Sequence, residues 1–340
     1  MSVGYRKCLL LGAGFTKNFG GLLGEEMWNL IFKQPVIQSS GTLKSLMLRD
    51  PGWNYERIRQ TMKHGPQSLP IEDVRRYEQA VQQAYSNLDR IIGSANHEHP
   101  INISKLHKEL IERFRGTERE PGIIFSLNQD LWFERKWDEN RSLVLPGILR
   151  GGKTVDIGQG RRKNYPLLSE DFHQLPTREE LKSNPIENGL GNLALIKLHG
   201  SIDFLSALNK GEKSMVWGVE KKGLIVAEPL LDAYFGLFRK TLETDKLKLL
   251  VIGYGFGDSH INELLNAQAT KGNLKIYVTA PTKPKEFIDS VLQRYKFDLK
   301  PFLGGFFPYS LKDVFPRHSD SETMEWNDIQ HHFFEEKKFA

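Results

Sequence analysis

Six short apolar runs, bounded by turn residues, punctuate the chain at 8–11, 123–127, 193–198, 224–226, 247–252 and 274–278. Each has the length of a strand, and hydrophobicity that continues without polar alternation belongs to strands covered on both faces. Between the last two runs Asp258 or Ser259 is placed to cap a helix carrying Ile261, Leu264 and Leu265 on one side. Strand-helix-strand units in series predict an α/β fold, a Rossmann-like parallel sheet flanked by helices.

Two segments depart from that pattern. Over 34–116 the periodicity turns helical, most clearly where Val74, Tyr77, Val81, Tyr85, Leu88 and Ile92 recur every three to four residues as one apolar stripe. Ser104 is a candidate cap for a further helix bearing Leu106, Leu110, Ile111 and Phe114, so the segment reads as a helical insertion. Over 147–191 glycine, proline and charge dominate, which predicts loops with little regular structure. After Thr282, Phe287, Ile288, Val291 and Leu292 mark a helix. An aromatic, proline-containing tail over 301–316 and a short amphipathic end at Trp326, Ile329 and Phe333 follow.

Composition narrows the class. With 340 residues, 39% hydrophobic and 26% charged, the chain has the makings of a large core and lacks the bias of disordered or membrane proteins. A net charge of +5, carried by scattered basic pairs, offers no continuous stripe for nucleic acid, and no run approaches the length of a membrane span. The apolar run after Arg6-Lys7 is too short for a signal peptide. Cys8 is the single cysteine, which excludes a disulfide framework and a multi-cysteine zinc site and makes the cytoplasm the expected compartment.

Two motifs are set aside on context. Residues 147–154 fit the glycine-x4-glycine-lysine-threonine phosphate loop, but Asp156, Gly158, Gly160 and Pro166 follow where a helix would have to begin. His97 with His99, and His331-His332 with Glu335, lack the spacing of a helical metal site and read as surface histidines, so no metal is expected.

Polar residues immediately beyond apolar runs carry the chemistry. Gly12-Ala13-Gly14-Phe15-Thr16 follows the first run, and its small residues suit close approach of a pyrophosphate to the backbone. Gly253-Tyr254-Gly255 repeats the device after a later run, Asn128 and Asp130 follow the run at 123–127, and His199-Gly200 follows the run at 193–198. A plainer reading stands beside each: Asn128 and Asp130 are well placed to cap the helix begun by Leu131-Trp132-Phe133, and a lone histidine is more often a hydrogen-bonded core residue.

Together and in this order, these residues resemble the sirtuin family, whose fold binds and cleaves NAD. The resemblance rests on Gly12, Ala13, Gly14 and Thr16 as the first nucleotide loop, on the pair Asn128 and Asp130, on His199 with Gly200, and on Gly253 and Gly255 as a second phosphate-side loop. It implies NAD as substrate, Asn128 and His199 as catalytic groups, and the others as NAD-binding residues. It also implies an NAD-binding catalytic domain over 1–33 and 117–282, interrupted by the insertion at 34–116, with 283–340 serving packing or oligomerisation. Zinc-bearing deacylases of the family use four cysteines that this chain lacks. The chain is more similar to the zinc-less, NAD-depleting effectors of bacterial antiphage systems, which implies control by oligomerisation or by a partner such as a HerA-type ATPase or helicase. A non-catalytic NAD sensor, a protein deacylase and an ADP-ribosyltransferase remain the alternative roles, and the residues leave linear and cyclic ADP-ribose open as products.

The chemistry asks little of the protein. Nicotinamide leaves from a cationic pyridinium and needs no general acid, so a glycosidase carboxylate pair is unnecessary. An oxocarbenium-like ribose must be positioned and shielded. Asn128 offers an uncharged amide for a ribose hydroxyl or the attacking water, Asp130 an acceptor for hydroxyls, and His199, if unperturbed near 6.5, a base near neutral pH.

Overall fold

The computed structural model describes residues 5–335 apart from 65–68, 95–99, 138–141, 151–152, 157–171, 210, 219, 270–271 and 273. Its strands are β1 (Arg6–Leu11), β2 (Gly122–Ser126), β3 (Val144–Arg150), β4 (Lys153–Asp156), β5 (His173–Gln174), β6 (Leu193–Lys197), β7 (Gly200–Leu205), β8 (Lys213–Met215), β9 (Leu247–Ile252), β10 (Leu274–Thr279) and β11 (Leu303–Phe307). Eight of them form one sheet in the order β11-β10-β9-β1-β2-β6-β3-β4, parallel throughout except for β4. The α/β, Rossmann-like architecture is as expected. β1, β2, β6 and β9 are apolar runs because helices cover both faces; nearly all their residues are buried. A small second sheet, β5-β7-β8, stands beside the main one.

The strand order positions the site. From β1 the chain builds outward through β2 and β6, then returns to β9 on the other flank of β1 and continues to β10 and β11. The direction of winding therefore reverses between β1 and β9, and in open α/β sheets the crevice at such a reversal, beyond the strand carboxyl ends, is where ligands bind. Both glycine loops emerge there.

Several local expectations need correction. Residues 224–226 are not a strand but lie in the helix Lys221–Ala227, with Ile225 buried while Leu224 and Val226 are exposed. Three apolar residues are too few to distinguish the two periods. The 147–191 segment is not merely loop, since it holds the β3-β4 hairpin, β5 and the helix Arg178–Ser183. That hairpin also disposes of the phosphate-loop match, because Lys153 opens a strand and no helix starts there. Asn102, rather than Ser104, caps the turn Ile103–Lys105 by accepting the Lys105 amide, and the chain continues through a π turn and a 3-10 turn to Phe114. The Pro301-containing tail yields an unforeseen edge strand, β11. His97, His99 and the basic cluster at 161–163 lie outside the described residues. His331 and His332 are exposed and engage Glu335 and Asp328.

Helices between Pro35 and Ser94 pack on Gly24–Phe32 and on the helix Trp132–Lys136, and their apolar residues join the core around the sheet. Buried Arg135 on the latter helix pairs with buried Asp89 on Ile71–Ser94. Among the described residues no helix is long and apolar enough to cross a membrane.

Candidate active site

The two glycine loops are built against each other. The Gly12 amide donates to the Ile252 carbonyl at 3.0 Å and the Gly14 amide to the Gly253 carbonyl at 2.8 Å. Gly253 has φ +69°, and a Cβ there would sit 2.0 Å from the Phe15 nitrogen; one on Gly12 would sit 2.6 Å from the Gly253 carbonyl oxygen. These glycines are thus required first for loop-to-loop contact, whereas Gly255 lines the cavity and a Cβ there would meet no protein atom within 4 Å.

From β2, Asn128 reaches across the edge of β1. Its Nδ2 donates to the Gly12 carbonyl at 3.0 Å, which ties the first loop to the second strand end. Its Oδ1 has no protein partner among the described residues. Asp130 stands just before the helix Trp132–Lys136 and accepts the Trp132 amide at 3.0 Å, while the nearby Thr16 hydroxyl donates to the Ala13 carbonyl at 3.3 Å. Burial pushes the Asp130 carboxyl up to about 6 against the opposing pull of Lys197. Lys197 is itself buried, donating to the Asp130 carbonyl at 2.6 Å, to Glu134 at 2.9 Å and to Ser201 at 2.8 Å, so it anchors the segment that carries Asn128 and Asp130.

His199 follows β6. Gly200 takes φ +72° directly after it, and a Cβ there would meet the Ser214 carbonyl oxygen at 2.2 Å, so the sharp exit into β7 requires glycine at this position. Burial lowers the His199 pKa to about 3, and the imidazole is therefore neutral at neutral pH; the expectation of a group titrating near 6.5 is overturned by its desolvation. Its Nε2 lies 2.9 Å from the Nε2 of His260, which comes from the first turn of Ser259–Ala269.

Nine residues singled out in the sequence, Gly12, Ala13, Gly14, Thr16, Asn128, Asp130, His199, Gly253 and Gly255, line one cavity of about 870 Å³. Sequence reasoning missed its far wall. Trp53, Tyr55, Glu56 and Tyr85 from the helical segment close over the sheet edge. Lys221 then bridges Glu56 at 2.9 Å and Asp258 at 2.7 Å. Burial alone would raise the Asp258 carboxyl, but Lys221 together with His199 and His260 outweighs it and brings the pKa down to about 2. The sequence reading touched this wall at Asp258, expected as a helix cap, and at Tyr85, read as part of a core stripe.

His199, Asp258 and His260 also offer ligand atoms within 4.8 Å of one another. The carboxylate is taken by the Lys221 ammonium and the two imidazoles by each other, so a cation could enter only by breaking these contacts.

Asp130 yields a pH prediction whose sign follows from its raised folded-state pKa. Between the unfolded value of 3.8 and about 6 the folded protein holds a proton that the unfolded chain has released. The group therefore adds stability as pH falls through 6 and withholds it above. Asp130→Asn is expected to raise the unfolding free energy at pH 7 by about 1–3 kcal/mol and to flatten that acid gain, measured by denaturant titration at pH 7 and pH 5. A variant less stable than wild type at pH 7 would contradict this account.

The model of the SIR2-like domain family matches residues 122–300, just over half of the chain, and the protein belongs to that family. The matched span carries Asn128, Asp130, His199, Gly253 and Gly255; the first glycine loop lies outside it and joins the site through the contacts just described. No curated protein matches the chain significantly. Membership places the protein among those with NAD-related chemistry.

Proposed function

We propose that the protein hydrolyses NAD to nicotinamide and ADP-ribose. One observation carries the reading: Asn128 and His199 open into the same cavity as both glycine loops, at the reversal point of a sheet whose family handles NAD. The cavity volume suits a ligand of dinucleotide size. The loops offer backbone to the pyrophosphate, and Asp130 accepts from ribose hydroxyls in its ionised form. With Nδ2 held by Gly12, Asn128 presents Oδ1 as a fixed acceptor for the attacking water or a ribose hydroxyl. A neutral His199 is the base toward that oxygen.

Protein deacylation fits less well, since Cys8, the single cysteine, is buried in β1 and no four-cysteine module can form. From the resemblance to zinc-less NAD-depleting effectors we further propose a role in antiphage defence. Bacteria expressing it are expected to keep their NAD until infection and then lose it, as measured by the NAD content of cell extracts. An NAD pool that stays level through infection would remove that role. Incubation of the purified protein with NAD, with nicotinamide followed by chromatography, tests the hydrolase reading itself.

A further inference from the structure

A second cavity, of about 110 Å³, lies on the other side of His260. Its walls include Phe235, Asp232 and Arg239 from Pro229–Leu242, Lys222 from Lys221–Ala227, and Glu263. The exposed Lys222–Glu263 pair places this cavity at the surface. His199 lines the large cavity and His260 the small one, so the 2.9 Å approach of their Nε2 atoms crosses the wall that separates them. Both rings are buried, at 3% and 4% exposure. One nitrogen of the pair must carry hydrogen and the other accept it, which is the arrangement of a proton wire.

Hydrolysis of NAD releases one proton. When the C1′–N bond breaks, its electron pair goes to nicotinamide; the water oxygen bonds to C1′, and a water proton must be taken up beside the buried His199. A desolvated His199 holds a proton poorly and needs somewhere to pass it. We propose that His260 relays this proton from His199 to solvent through the second cavity, an inference that rests on the hydrolase reading. His199 takes the proton on Nδ1, the Leu127 backbone nearby favouring the charged ring, and gives the shared hydrogen to Nε2 of His260. His260 then releases one from Nδ1 to water. Both rings end neutral, with the shared hydrogen on His260. The charges facing His260 are Asp258 and Glu263 from its own loop and helix, Lys221 and Lys222 from Lys221–Ala227, and Asp232 and Arg239 from Pro229–Leu242. Asp258 stabilises the transient imidazolium. His260 is a positioning and relay residue that works through His199.

The test compares His260→Ala and His260→Phe with wild type in steady-state NAD hydrolysis. His260→Ala is expected to lower kcat about 100-fold with KM changed less than about twofold. Its pH profile should lose the acid limb set by the histidine pair, and imidazole in the buffer, admitted by the enlarged cavity, should restore about tenfold. His260→Phe, which fills the space and preserves the ring contact with Phe235, should be equally slow and not rescued. Wild-type rates in both variants, or slow turnover with neither rescue nor a changed pH profile, would overturn the relay and leave the hydrolase reading standing. A wild-type protein that releases no nicotinamide would overturn both.

Discussion

Asn128→Ala is expected to slow nicotinamide release by about 100- to 1,000-fold while remaining folded. The two halves of that statement come from different atoms of one side chain. Nδ2 supports the first glycine loop through the Gly12 carbonyl, but that carbonyl also accepts the Phe15 amide at 2.9 Å, so truncation leaves it satisfied and costs about 1 kcal/mol. Oδ1 has no structural partner among the described residues, and its removal falls on the reacting ribose. Asn128→Asp is expected to be no better, because it sets a carboxylate against the Gly12 carbonyl and close to Asp130. Thermal unfolding beside the rate assay checks both halves. Substantial turnover by folded Asn128→Ala would remove Asn128 from the mechanism.

Gly253→Ala is expected to have the largest effect on the fold. A side chain at φ +69° costs about 1–2 kcal/mol, and a Cβ pressed to 2.0 Å from the Phe15 nitrogen must push the loops apart, adding about 1–3 kcal/mol. The close approach of these loops continues the β1–β9 ladder beyond Leu11 and Ile252, so destabilisation and weakened NAD binding should appear together. Denaturant unfolding and calorimetry with NAD measure them. Gly255→Ala is the contrasting case: its Cβ meets no protein atom, so stability should hold while ligand binding weakens. Equal stability of Gly253→Ala and wild type would contradict the tight packing of one loop on the other.

What was legible in the sequence was what burial writes into composition. The strands β1, β2, β6, β9 and β10 are covered on both faces and appear as apolar runs interrupted only by single lysines, Lys197, Lys248 and Lys275, and the residues beyond them fall at the sheet edge where ligands bind. β7 was hidden because buried Ser201 and Asp203 interrupt its apolar run; they are tolerated since Ser201 bonds Lys197 and Asp203 faces His173 at 3.8 Å. Those partners are distant in sequence or on other strands. β3 contains Pro146 and Gly147, and β11 contains Gly304 and Gly305, which make room for the Tyr277 ring. All four residues usually signal loops.

The site divides in the same way. Glycines, Asn128, Asp130 and His199 could be found because each stands immediately after a strand. His260 could not, because its meaning lies in a ring 61 positions away, and the wall formed by Glu56 and Lys221 depends on how the helical segment folds over the sheet. Protonation was equally hidden. The descent of His199 to about 3 and the rise of Asp130 to about 6 are consequences of burial that residue type alone does not carry.

The most direct measurement is chromatography of NAD incubated with the wild-type protein in the presence of EDTA. The account predicts release of nicotinamide in step with NAD consumption, undiminished by the chelator. NAD recovered intact, while calorimetry shows it bound, would contradict the account and leave a protein that senses the dinucleotide without cleaving it.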